Sequence, residues 1–208
     1  MSKTKIRALI LDYGGVISLP QNITGANNGL QSLKHKYCDF DVVYRRYRAH
    51  YDNSQWSGQD YWTNVLRYFG LEPNDADIAR LIQDDVASWT HINESVIQFV
   101  QECKSKVHKL AIISNMTRDS LAHLRVHAQW LGLFDELVFS CDVGINKPAR
   151  EIYELCLDRL GLRPDECLFV DDSAENVQGA RAAGMASIHF KTLPDFLLEL
   201  DERFSLTR

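Results

Sequence analysis

The sequence predicts an α/β fold, a doubly wound parallel sheet with a helical segment inserted after the first strand, and three observations carry that prediction. Five short runs, ending at Leu11, Ser114, Ser140, Val170 and Phe190, are continuously apolar, the pattern of strands covered on both faces. Helical spacing fills the gaps between the later runs, so strand and helix alternate. One long segment, from about Ser18 to Trp89, breaks this rhythm: it is aromatic-rich and has no buried-strand run. The expected division is therefore a core of residues 1–17 and 90–208 with a helical insertion of residues 18–89.

The first run ends at Asp12 and passes directly into Gly14-Gly15, which sets a carboxylate at a strand end ahead of a turn. In the insertion, helical spacing covers Val42 to Tyr51 and Tyr61 to Phe69. The stripe Tyr44, Tyr47, Tyr51, Trp62, Tyr68 and Phe69 reads as the insertion's own core. Arg45, Arg46 and Arg48 are expected to solvate a helix face, the alternative being an anion-binding role at a cleft. The glycine-bearing stretch from Gly25 to Gly29 reads as a loop. Beyond the insertion, Val96, Ile97, Val100 and Cys103 mark a helix over residues 94–104, and the runs Leu110 to Ser114 and Leu137 to Ser140 are the next two strands. Pro148 suits a first helical position ahead of Ile152, Leu155, Cys156 and Leu160. Cys167 to Val170 is the fourth strand, a helix runs through Val177 to Ala183, and Ala186 to Phe190 is the last strand.

A chain of 208 residues with 45% hydrophobic composition can bury a substantial core. A net charge of -5, with no long basic run, argues against nucleic acid as a partner. The apolar stretch that stops at Leu11 is too short for a signal sequence or a membrane span, so the expectation is a cytoplasmic protein, monomeric or homodimeric. Cys38, Cys103, Cys141, Cys156 and Cys167 show no metal-binding spacing and read as buried free thiols. His123 and His127 stand four residues apart, but with no Glu after His123 and no third ligand nearby they read as a solvated helix face; His108 and His189 have no partner at metal spacing.

In an open parallel sheet, ligands bind beyond the carboxyl ends of the strands. Those ends offer Asp12, Ser114-Asn115, Asn146-Lys147-Pro148 and Asp171-Asp172-Ser173. Each alone could be a cap or a turn; together they would have to be four coincidences. Three converging carboxylates repel one another unless a cation sits among them, and magnesium, with its preference for oxygen ligands and phosphate, is the expected occupant. Lys147 would neutralise charge on a transferring phosphoryl group, and the Ser114 hydroxyl would hold phosphate oxygens.

The ordered set Asp12, Ser114, Lys147 and Asp171-Asp172 resembles the four motifs of the haloacid dehalogenase-like hydrolase superfamily, over essentially the full chain. The insertion looks like that superfamily's small helical cap. Ile-Leu-Asp-Tyr-Gly-Gly-Val-Ile and Phe-Val-Asp-Asp-Ser-Ala-Glu-Asn-Val are most similar to the epoxide-hydrolase N-terminal phosphatases and the sugar-1-phosphate phosphatases. The resemblance implies that Asp12 is a nucleophile forming an aspartyl-phosphate and that Lys147 steadies it. It implies magnesium bound by Asp12, the Gly14 backbone carbonyl, Asp171 and Asp172, and a small phosphorylated metabolite bound by Ser114, Asn115 and Gly15.

Gly14 departs from the pattern, because most phosphatases of this superfamily carry there an aspartate that protonates the leaving oxygen and activates water. Such help is typically worth about 10²–10⁴ in rate. His35, His50 and Asp52 are the insertion's eligible substitutes, although each is expected to be a solvated surface group. Two other functions stay open. A dehalogenase also lacks the second aspartate, and a binding or regulatory protein would keep the fold without useful turnover.

Overall fold

The computed structural model describes residues 3–24 and 28–207. Five strands form a parallel sheet: β2 (Ala8–Leu11), β3 (Lys109–Ser114), β4 (Glu136–Phe139), β5 (Cys167–Asp171) and β6 (Ala186–His189), in the spatial order β4-β3-β2-β5-β6. The predicted doubly wound α/β architecture is the one observed. β2 lies at the centre with β3 on one side and β5 on the other, so the switch in winding direction falls beside Asp12.

Both faces of the sheet are covered, which explains the continuous apolar runs. Leu9, Leu11, Leu110, Ile112, Leu168 and Val170 face one way, towards α5 (Glu94–Cys103), α6 (Arg118–His127) and α10 (Leu193–Arg203). Their neighbours Ala8, Ile10, Ala111, Ile113 and Phe169 face α8 (Arg150–Leu160) and α9 (Ala174–Ala182). Side chains that alternate faces while remaining apolar on both are the signature of a three-layer α/β/α sandwich.

Between β2 and α5 the chain leaves the sheet and forms α1 (Gly29–Lys36), α2 (Phe40–Asp52), α3 (Gly58–Tyr68) and α4 (Asp75–Ser88) around a separate core. α3 starts on a capping box, with Ser57 and Asp60 satisfying each other's backbone N–H groups. Of the aromatic stripe, Tyr44, Tyr51 and Trp62 are buried in this second core and Tyr47 and Phe69 pack against it, whereas Tyr68 is 48% exposed. The two connections to the sheet run side by side, through a bridge between Ser18 and Ile92 and hydrogen bonds Leu19 N–H to His91 O (2.7 Å) and Asn93 N–H to Ile17 O (2.9 Å).

Several elements differ from expectation. β1 (Thr4–Ile6) pairs with β7 (Phe204–Leu206) in a small second sheet; three-residue strands are too short to show a pattern. Helices α1, α4 and α10 are likewise absent from the sequence-based expectation, because their apolar positions are too sparse to stand out. Pro148 is not the first helical residue: α8 starts at Arg150, and Pro148 follows a cis Lys147–Pro148 peptide in the turn before it. Cys38 is exposed at a turn, while the other four cysteines are buried, and all five are free. Gly29 opens α1, and the preceding Gly25, Ala26 and Asn27 lie outside the described residues. Among the described residues, no helix is long and apolar enough to cross a membrane.

Candidate active site

β2 ends at Leu11, and the next residue, Asp12, extends the ladder with its N–H on Val170 O (2.9 Å). The chain then turns tightly through Tyr13–Ile17, and Asp12 Oδ1 caps the turn by accepting from Tyr13 N–H (2.6 Å). Gly15 adopts φ +69°, and a Cβ there would lie 2.3 Å from Asp172 Oδ2. Glycine is required on both counts, since the left-handed region strains other residues and the carboxylate needs the space. At Gly14 a Cβ would only touch the Trp89 ring, at 3.4 Å. The Trp89 indole thus walls the space that a side chain at position 14 would enter. Its buried N–H has no hydrogen-bond partner among the described residues.

Lys147, 4% exposed, reaches the ends of three neighbouring strands: Nζ lies 2.8 Å from Asp12 Oδ1, 2.6 Å from Asp171 Oδ2 and 3.0 Å from Ile113 O. Burial opposes its charge, but the flanking carboxylates outweigh that and raise its pKa. Asn115 sets the height of this lysine. Its side chain accepts from Lys147 N–H (2.8 Å) and donates to Lys147 O (3.0 Å). Expected to bind substrate, Asn115 lines the cavity but spends its amide group on this loop.

Asp171 is fully buried, and both its oxygens are engaged. They accept from Lys147, from Ser173 N–H (2.8 Å) and from Asn176 Nδ2 (3.0 and 3.1 Å). Asn176, on the first turn of α9, is a contributor that sequence reasoning missed; its signal was the five-residue step from a strand end onto a helix. Asp12, Asp171 and Asp172 each place an oxygen within 4.8 Å of the others, and no other such acid, His or Cys cluster occurs among the described residues. The His123 and His127 rings lie tilted with centroids 4.4 Å apart and join no metal-type cluster among the described residues.

One ammonium cannot neutralise three carboxylates. Burial, then the charge of Asp171, pushes Asp12 up to about 7 against the opposing pull of Lys147. Asp172 is raised too, by burial and by Asp171. This uncompensated negative charge, with carboxylate oxygens of Asp12, Asp171 and Asp172 all within 4.8 Å of one another, fits a divalent cation.

Above the cluster lies a cavity of about 430 Å³, walled by core residues Asp12, Ser114, Asn115 and Asp172 and by Tyr44, Arg45, Arg48, Asp52 and Trp89 of the insertion. Two expectations are corrected here. Arg48 and Asp52 are not solvated: Arg48 lies within an aromatic box, its guanidinium 5.2 Å from the Tyr44 ring, 5.3 Å from Tyr51 and 5.9 Å from Tyr61, and Asp52 is buried beside it. The tyrosines that read as mere core shield both groups from water. Arg45 also lines the cavity, while Arg46 lies over Tyr47. His50 stacks on Trp56 and, like His35, is exposed.

Comparison with known proteins agrees with this geometry. Residues 6–184 match the family model described as haloacid dehalogenase-like hydrolase. A sesquiterpene phosphatase of Aspergillus oryzae, astK, is 34% identical over 187 residues, spanning 89% of this chain and 90% of that protein. Rat bifunctional epoxide hydrolase 2 is 31% identical over 134 residues, which is 62% of this chain and only 24% of the rat protein's length. Among solved structures, the HAD family enzyme bt-2542 of Bacteroides thetaiotaomicron shares the fold with a TM-score of 0.71 at 18% identity, covering 94% of this chain and 98% of that one. The chain belongs to the haloacid dehalogenase-like hydrolase family.

Proposed function

We propose that the protein is a magnesium-dependent phosphatase of small phosphorylated metabolites, acting through an aspartyl-phosphate at Asp12. The observation that carries this is the cluster itself: Asp12 and Asp171 bridged by buried Lys147, with an Asp172 oxygen within 4.8 Å, on the floor of a substrate-sized cavity. Asp12 attacks phosphorus, Lys147 holds the nucleophile in line, and Ser114 and the backbone around Gly15 receive phosphoryl oxygens. Asp12, Asp172 and the Gly14 carbonyl would hold magnesium, which supplies charge neutralisation and orientation for the phosphate. Asp171 acts mainly by fixing Lys147.

The cavity wall combines Tyr13, Pro20, Trp89 and Met116 with the exposed Arg45, which has no hydrogen-bond or ion-pair partner among the described residues. That suits a phosphate ester with an apolar body, and the similarity to a sesquiterpene phosphatase supports it. A relative of the same fold was crystallised with magnesium and inorganic phosphate, which supports the cofactor. Dehalogenation has no use for three clustered acids, and a non-catalytic binding role is favoured by Gly14 alone. Hydrolysis of a nitrophenyl phosphate that requires magnesium and disappears in Asp12→Asn is the expected result; metal-independent turnover, or turnover surviving that substitution, refutes the assignment.

A further inference from the structure

The carboxyl group missing at Gly14 has a counterpart among the residues that the insertion contributes to the cavity. Three carboxylates line that space; Asp12 and Asp172 belong to the core cluster, and the third, Asp52, comes from the C-terminal end of α2. Asp52 is 8% exposed, and its Oδ1 accepts from Arg48 Nε at 2.9 Å.

Its placement is fixed by the core. The Asp52 carbonyl accepts from Ser140 Oγ (2.7 Å), and the same hydroxyl accepts from Met116 N–H (2.9 Å), in the residue following Ser114-Asn115. Asn146 Nδ2 donates to Ala49 O (2.7 Å), Ser54 Oγ to Cys141 O (3.0 Å) and the Tyr51 hydroxyl to Asp119 (2.7 Å). The end of α2 is therefore tied to the same loops that present Ser114, Asn115 and Lys147, so Asp52 is held over the site.

Its charge state follows from competition for one cation. Arg48 serves both Asp52 and the fully buried Asp85, at 2.9 and 2.7 Å. Asp85 also accepts from the Tyr44 hydroxyl (2.5 Å) and from Gln21 (3.5 Å), whereas Asp52 has Arg48 alone among the described residues. Two carboxylates on one guanidinium favour retention of a proton, and the carboxylate with fewer donors is the one to retain it. Burial raises the Asp52 pKa against the pull of Arg48, with Asp85 adding to the rise and Lys147 opposing it. Tyr44, Tyr51 and Tyr61 surround Arg48, and Asp119 and Arg118 approach from α6 through Tyr51 and Ser54.

We propose that Asp52 is the general acid and base of this active site, supplying from the cap the proton that Gly14 cannot. The proposal rests on the phosphatase assignment above. In the first step an Asp12 oxygen forms a bond to phosphorus, the ester P–O bond breaks, and the Asp52 proton passes to the departing oxygen, releasing the alcohol. In the second, water attacks phosphorus and gives its proton to Asp52, and the Asp12 carboxylate leaves as inorganic phosphate is released.

The test is the first-turnover rate of alcohol release from an alkyl phosphate and a nitrophenyl phosphate, with magnesium, in the wild type, Asp52→Asn and the exposed-residue control His50→Ala. A nitrophenolate departs without protonation, so Asp52→Asn is expected to slow the alkyl ester by about 10²–10⁴ and the aryl ester by less than about tenfold. Equal loss on both esters would make Asp52 a cap-positioning residue and overturn the proposal, as would an undiminished alkyl rate. Independently of how the variant folds, wild-type rates should fall only shallowly as the leaving group becomes more basic; a steep fall also overturns it. Failure of the underlying assignment looks different: the wild type then releases neither alcohol.

Discussion

The core and the cap each set one cation between two carboxylates, and they resolve the resulting charge in opposite ways. In the core, Lys147 lies between Asp12 and Asp171, and a third acid, Asp172, faces the same opening. In the cap, Arg48 joins Asp52 and Asp85, but hydroxyl and amide donors from Tyr44 and Gln21 complete the network, and tyrosine faces close it. The core cluster is left with negative charge and oxygen donors that fit a divalent cation; the cap cluster is nearly self-sufficient and fits a retained proton. A buried cation with two acids therefore says little by itself, and the neighbouring donors decide what the arrangement does.

The largest expected effect breaks the core side. Asp12→Asn removes the group that forms the covalent bond and should lower turnover by on the order of 10⁴–10⁶, with the fold and the cap network intact by circular dichroism. Retained turnover would mean that the core cluster only binds ligand.

Removing the cation from either cluster strands buried carboxylates, which typically costs about 3–5 kcal/mol. Lys147→Met and Arg48→Met should both lower the unfolding free energy from denaturant titration by that order, yet magnesium should partly restore only the former, because the open acids face one another in the core alone. Rescue of Arg48→Met by magnesium would erase the distinction between the two clusters.

Gly15→Ala crowds Asp172, so the magnesium concentration for half-maximal activity should rise by about 10- to 100-fold, an effect comparable to disturbing groups that orient metal ligands. An unchanged magnesium requirement would take Asp172 out of the metal site.

The pH dependence has a definite sign. Asp12 is pushed up to about 7 in the fold, while an unfolded aspartate ionises near 4. Between those values the folded chain without cation holds the extra proton, so this group's contribution to stability falls as pH rises, and the loss is complete above about 7. A cation binding the ionised form offsets the loss, so magnesium should raise Tm more at pH 8 than at pH 5.5. Equal shifts at both pH values would contradict the charge imbalance assigned to the core.

The smallest effect is expected from Gly14→Asp. A Cβ there only touches Trp89, so the substitution should be accommodated; with Asp52 already delivering protons, alkyl phosphate turnover should change by less than about tenfold. A gain of 10² or more would show that the cap supplies no acid.

Much of the core is legible in the sequence. The apolar runs ending near Leu11, Ser114, Val170 and Phe190 correspond to strands covered on both faces, because burial on two sides leaves a continuous signature in the chain. The strand-end groups Asp12, Ser114, Lys147 and Asp171-Asp172 could be named for the same reason, since a parallel sheet directs all its carboxyl ends to one rim. Short elements such as β1 and β7 were not legible, for three residues carry no period.

What the sequence determined by itself, then, is the parallel sheet, the row of polar groups along its rim and the glycine two residues after Asp12. Tertiary structure alone decided that Arg48 is enclosed by tyrosine rings and Asp52 is buried rather than solvated, that Asn115 serves Lys147, and that Trp89 stands against Gly14. The physical reason is that a charged helical residue looks the same in sequence whether water or three tyrosines surround it. Its environment is set by residues far along the chain, and here those residues turned a face of α2 inward over the active site.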